Sequence, residues 1–342
     1  MLPLYLRGYA SNKAGRSPLK NSELHWKGGA FPHIRRQSRN AMTTNKFIHI
    51  NPELESALAA RKPVIALEST VIAHGLPQPQ NLETAQRLEQ IIRDEDAIPA
   101  TIAVLRGKFC VGLDSRQLEH LATSADIRKI STRDLAVAVA NEWDGATTVA
   151  STMWIAQRAG IKVFATGGIG GVHRGSLPYV SADLPELTQT PMIVVCSGAK
   201  IVLDLPATRE WLETYGVTVV GYGCDEMPGF YSRHSGLPID VRCDCPAAVT
   251  VLFNAQRGLG VTGALLVTVP VPAAAEIPDE ELKSILDQSL RDAERSHVSG
   301  RELTPFLLAH MALLSKGTTL RANIALLENN ARVAAQIARE LG

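Results

Sequence analysis

A single-domain α/β fold, three α/β/α layers around a mostly parallel central sheet, is predicted from three observations. Short apolar runs recur along the chain and alternate with stretches of helical period, the pattern of successive βα units. Residues 192–196 (MIVVC) are apolar without interruption, as a strand covered on both faces allows. Beyond residue 45 the chain shows no long linker and no internal repeat, and none of its apolar runs reaches the roughly 18 residues a membrane span needs.

Taken in order, residues 1–45 have no hydrophobic period and many Gly, Ser, Asn and Arg, so a disordered basic leader is expected. Its first 42 residues hold eight Lys/Arg and one acid, whereas the remaining 300 hold 27 basic and 33 acidic side chains. An organellar transit segment and an over-long start ahead of Met42 both fit, and the folded domain is placed at 46–342. Residues 63–67 read as a buried strand, and 81–93 as a helix with Leu82, Ala85, Leu88, Ile91 and Ile92 on one stripe. Strands at 101–105 and 109–113 flank a hairpin join, Arg106-Gly107-Lys108. Asp114 and Ser115 cap a helix to 123, Thr132 caps another over 133–142, and residues 145–148 open a third that reaches 159. Strands follow at 163–166, 192–196, 217–222 and 261–269, with helices at 207–215 and 246–258 and a helical tail at 279–297, 305–314 and 320–341.

Composition narrows the function. With 45% hydrophobic and 20% charged residues and a net charge of +1, the chain reads as an ordinary enzyme whose mildly acidic body offers no basic stripe for nucleic acid. Five scattered cysteines do not make a disulfide framework, and Cys243-Asp244-Cys245 lacks the further ligands of a zinc site. A reducing, cytoplasmic setting is expected.

Polar residues gather at strand ends, where open α/β sheets bind ligands. Lys200 follows the 192–196 strand through Ser197-Gly198-Ala199; desolvation there would free its amine to attack a carbonyl, and a surface lysine at a helix start is the plainer alternative. Glu68 follows the first buried strand, as a proton donor with a raised pKa or as a capping or ion-paired acid. Lys129 and Arg133 flank a helix start that could hold an anion, unless they form a solvated charge cluster. The five glycines of TGGIGGVHRG let backbone approach a ligand, but their spacing matches neither a dinucleotide fingerprint nor a P-loop. A small phosphorylated ligand suits that loop better than a nucleotide does, and a structural turn is the alternative. Ser181-Ala182-Asp183 adds a hydroxyl and a carboxylate, and Asn323 breaks an apolar helix face, as a ligand contact or as a satisfied core amide.

ALEST-VIAHG, KISTRDL, DGATTVAST, FATGGIGGVHRG, SADLPEL, VVCSGAKIVLDLPAT and NIALLENNA occur in this order and together resemble the indigoidine-synthase-A-like family of pseudouridine-5′-phosphate glycosidases. The resemblance spans residues 47–340. It implies reversible conversion of pseudouridine 5′-phosphate to uracil and ribose 5-phosphate, running towards breakdown in the cell, through a Schiff base between a lysine and the opened sugar. By position Lys200 matches the family's nucleophile and Glu68 its proton donor. Lys129, Val149 (through its backbone), Ser181, Ala182 and Asp183 match substrate contacts, and His173 and Asn323 resemble residues that assist sugar handling. The family also implies a homotrimer and manganese. Here the connection before Ser181 is two residues shorter than usual, and Tyr179 stands where the metal-binding aspartate is expected, leaving Asp183 as the nearest carboxylate. A Schiff-base lyase or aldolase acting on another sugar phosphate, and a sugar-phosphate-binding protein without catalysis, are the competing readings.

Overall fold

The computed structural model describes residues 46–175, 179–298 and 300–342, apart from the Arg301 side chain. The leader expected at 1–45 and residues 176–178 of the shortened connection lie outside the described residues.

The chain runs β1 (Ile48–Ile50), α1 (Pro52–Ala59), β2 (Val64–Leu67), a π-turn (Val71–Gly75), α2 (Gln80–Asp94), β3 (Ile98–Leu105) and β4 (Lys108–Val111). It continues through α3 (Ser115–Thr123), β5 (Arg128–Ile130), a 3₁₀ turn (Thr132–Asp134), α4 (Leu135–Ala140), β6 (Gly145–Thr147), α5 (Val149–Arg158), β7 (Val163–Ala165) and α6 (Asp183–Gln189). Then come β8 (Ile193–Cys196), α7 (Leu205–Thr214), β9 (Thr218–Tyr222), β10 (Val241–Cys243), α8 (Pro246–Gly258) and β11 (Leu265–Thr268). Helices α9 (Asp279–Arg295), α10 (Leu303–Leu314) and α11 (Thr318–Leu341) end the chain.

Among the described residues the strands form one sheet of eleven in the order β1-β4-β3-β2-β7-β8-β11-β9-β10, with β6 joining β3 and carrying β5. Only the β3–β4 and β3–β6 pairings are antiparallel. The parallel middle is apolar at every position of β2, β7 and β8, which are buried on both faces. Helix α11 packs along β2, β7 and β8 beside α2 and α8, while α5, with α6 next to it, packs on β2 and β3. The mostly parallel sheet between helical layers agrees with the fold class read from the sequence. The join between β3 and β4 is a tight hairpin because Arg106 and Gly107 both have positive φ, 49° and 70°, the twist a two-residue turn needs.

Three local expectations are corrected. Residues 145–147 are strand β6, tied by register to Ala103 and Val104 of β3, and the helix begins after them. Its cap is Thr148, whose hydroxyl accepts from the Ser151 amide. The helix expected over 133–142 opens as a 3₁₀ turn and stops at Ala140, because Glu142 swings to φ 52°. The strand expected at 261–269 is confined to Leu265–Thr268, where each residue pairs with both β8 and β9.

Candidate active site

The carboxyl ends of β2, β5, β7 and β8 open into one cavity of about 710 Å³. Glu68, Lys129, Val149, His173, Ser181, Ala182, Asp183, Lys200 and Asn323 all line it, as does Tyr179. Residues separated by up to 255 positions in the chain thus meet at one point of the fold.

Strand β2 ends at Leu67, so Glu68 stands directly at its carboxyl end, lining the cavity with 8% of its surface exposed. Its Oε1 accepts a hydrogen bond from the Thr166 hydroxyl at the end of β7. Burial raises its pKa, against the opposing pull of the Lys200 charge and of the Thr166 bond. A carboxyl placed this way keeps its proton to higher pH than a surface glutamate and is suited to donate it.

Lys200 lies four residues beyond β8 and five before α7, so it does not start a helix. The loops after β7 and β8 continue side by side: the Ile169 amide donates to the Gly198 carbonyl (3.0 Å) and the Lys200 amide to the Ile169 carbonyl (3.1 Å). The half-buried Lys200 Nζ donates to the Gly168 carbonyl, which fixes the amine over the cavity. Glycine is needed at 170, where a Cβ would come within 2.2 Å of Ser181 Oγ and 2.7 Å of Asp183 Oδ2.

Lys129 sits on β5, and burial followed by the nearby Lys200 charge holds its ammonium below the usual lysine range. The same crowding acts on His173, whose pKa is lowered by burial and then by Lys129. Val149 is the first residue of α5 and is 1% exposed. Arg133, paired with Asp134 at 3.6 Å, and Arg174 line the cavity as further cations. With two lysines and two arginines against Glu68 and Asp183, the cavity favours an anionic ligand.

Sequence reasoning passed over His74, which stands in the π-turn, lines the cavity and hydrogen-bonds the Arg128 backbone while its Nε2 has no partner. Single-turn π segments often mark functional sites, but nothing in the letters VIAHG announces one. Leu303, Thr304, Pro305 and Leu308 of α10 also line the cavity.

The residues present do not suit manganese. Both Asp183 oxygens are taken by backbone amides, Oδ1 by Ala150 (3.0 Å) and Oδ2 by Gly170 (2.7 Å), and the side chain is 5% exposed. It braces α5 against the glycine loop, which takes up one lone pair of each oxygen and holds the carboxylate turned to the backbone. Tyr179 is 65% exposed and brings a neutral phenol, a poor ligand for a hard dication. Among the described residues no three His, Cys, Asp or Glu side chains gather as a metal-binding group. No helix among them is long and apolar enough to cross a membrane.

The sequence model of the family described as indigoidine synthase A like protein matches residues 53–340. A pseudouridine-5′-phosphate glycosidase of Geobacillus kaustophilus is 48% identical over 299 residues, 87% of this chain and 99% of that relative. One of Paracoccus denitrificans is 51% identical over 295 residues, 85% of this chain and 97% of the relative. The crystal structure of the prealnumycin C-glycosynthase AlnA in complex with ribulose 5-phosphate superposes with a TM-score of 0.80 at 36% identity, over 87% of this chain and 97% of that one.

Proposed function

This chain belongs to the indigoidine synthase A-like family, and from that premise we propose that it cleaves the carbon–carbon glycosidic bond of pseudouridine 5′-phosphate, giving uracil and ribose 5-phosphate. The observation that carries the reading is the convergence of the Lys200 amine and the proton-holding Glu68 carboxyl on one cation-lined cavity. The names of the relatives and the pentulose phosphate held by the structural neighbour support the same substrate class.

A carbon-linked base has no glycosidic nitrogen to protonate, so the usual departure to an oxocarbenium ion is closed. Lys200 instead attacks C1′ as the C1′–O4′ bond breaks, and Glu68 gives its proton to O4′. The adduct nitrogen then returns a proton to Glu68. Its lone pair forms the C1′=N bond while C1′–C5 breaks, and C5 of the departing uracil takes the Glu68 proton. Water adds to the resulting Schiff base, which releases ribose 5-phosphate and free Lys200 and restores the proton on Glu68. The cavity cations hold the phosphate, and Ser181 and Asn323 face the opened sugar. In the cell the reaction runs towards breakdown.

Incubating the protein with ribose 5-phosphate and uracil should yield pseudouridine 5′-phosphate by mass, and supplying the nucleotide should yield uracil. Failure in both directions overturns the reading; a uracil-independent adduct on Lys200 would then point to a lyase acting on another sugar phosphate. Because Asp183 is committed to Ala150 and Gly170, turnover should change less than about twofold between chelator and added manganese. A strict manganese requirement in the rate assay would refute that.

A further inference from the structure

Asn330 is fully buried on the apolar stripe of α11 and has no place in the cavity lining, yet it holds the end of β7, whose Thr166 bonds Glu68, and the end of β8, which leads to Lys200. Its Nδ2 donates to the Thr166 carbonyl (2.9 Å), more weakly to the Gly167 carbonyl (3.4 Å), and to Ser197 Oγ (3.1 Å). Its Oδ1 accepts from the Ser197 hydroxyl at 3.3 Å. Thr166 and Gly167 follow β7, and Ser197 follows β8, where the regular ladder between the two strands has ended. A buried carbonyl beyond the last ladder pair needs a donor, and the Asn330 amide supplies it.

The anchored residues are those on which the chemistry hangs. Thr166 gives its hydroxyl to Glu68, Gly168 gives its carbonyl to the Lys200 amine, and the Ser197 amide donates to the Gly167 carbonyl at 2.8 Å. One side-chain amide therefore fixes the spacing of acid and amine from behind. We propose that Asn330 is a positioning residue for the Glu68–Lys200 pair, acting through Thr166 on one side and Ser197 on the other. The inference deepens the glycosidase reading and rests on it for the rate effects, but the placement of Thr166 against Glu68 can be read without substrate.

Asn330→Ala should lower kcat by about ten- to a hundredfold with KM changed less than about threefold, as expected when reacting groups drift by a fraction of an ångström. The distinguishing readout is the titration of Glu68, followed without substrate by infrared difference spectroscopy of each protein against its Glu68→Gln counterpart. The Thr166 bond favours the ionised carboxylate, so releasing it moves the titration to higher pH. The groups that act on Glu68, namely Lys200, Asp183 and Lys129, are unchanged in this comparison.

Asn330→Ala and Thr166→Val should shift the titration in the same direction, and the double variant should shift it no further than either alone. If Asn330→Ala does not fold, Ser197→Ala removes one hydroxyl partner of the amide, and a smaller shift of the same sign is expected. A wild-type titration in a folded Asn330→Ala, or in Ser197→Ala where that variant stands in, overturns the proposal. If the titration shifts while wild-type protein leaves pseudouridine 5′-phosphate intact, the substrate reading fails and the positioning role stands.

Discussion

Replacing Lys200 with alanine should reduce pseudouridine 5′-phosphate cleavage by at least about 10⁴-fold, because the covalent route has no other amine in its place. Lys129 does not substitute for it. That side chain projects from β5, whereas Lys200 is pinned to the Gly168 carbonyl at the end of the β7 loop. Borohydride added with ribose 5-phosphate should leave a reduced sugar on Lys200 in the wild-type protein and none in the variant, as read by peptide mass. The Lys200 backbone amide still bonds the Ile169 carbonyl in the variant, so the loop and the thermal midpoint should be nearly unchanged. Full activity in Lys200→Ala, or an adduct on Lys129 in the wild type, would refute the assignment.

Glu68→Gln should cost about 10²- to 10⁴-fold in turnover, the range attributed to a positioned proton donor. The same change should make the protein more stable at alkaline pH. Burial places the folded-state pKa of Glu68 above its unfolded value, so the native carboxyl binds its proton more tightly than the unfolded one. Its contribution to stability is therefore complete at acid pH and is lost as pH rises through the folded pKa, where a charge must be carried in a buried site. A neutral glutamine escapes that penalty. Its thermal midpoint should match the wild type in acid and exceed it by a few degrees in alkali. Calorimetry across pH checks this, and a variant destabilised equally at all pH values would refute it. Wild-type turnover should fall as pH rises through the same transition.

The central sheet and the reactive loops were legible because they depend on local composition. An uninterrupted apolar run can bury both faces only in the middle of a sheet, and polar residues placed immediately after such runs must stand at strand ends. Glu68 and Lys200 are legible in this way, Ser181-Ala182-Asp183 is noticed only because it follows the glycine loop, and all share the cavity. The three-residue strands β1, β5, β6 and β10 are not legible, since, unlike the wholly apolar β7, they mix polar residues or glycine into a stretch too short to carry a period, and their state is set by partners elsewhere. Residues 145–147 are the clearest example: Thr148 is a good cap, but the segment before it is held extended by β3 and β5. The tasks of Asp183 and Asn330 were equally hidden. Asp183 reads from the sequence as a sugar or metal contact; the structure keeps it in the cavity lining and adds a bracing task, with its oxygens accepting from amides 33 and 13 residues away. The Asn330 amide reaches partners more than 130 residues upstream, a distance no motif encodes.

Helix α11 packs against β2, β7 and β8 at the middle of the sheet, yet it is synthesised after every strand of that sheet. A nascent chain that has already made those strands keeps one apolar face bare until residues 318–341 leave the ribosome. Its low-contact-order pieces, such as the β3–β4 hairpin, can form early, but the sheet's centre must wait for a closure spanning most of the polypeptide. The length of that wait, set by translation, is the interval in which the uncovered apolar face is open to aggregation.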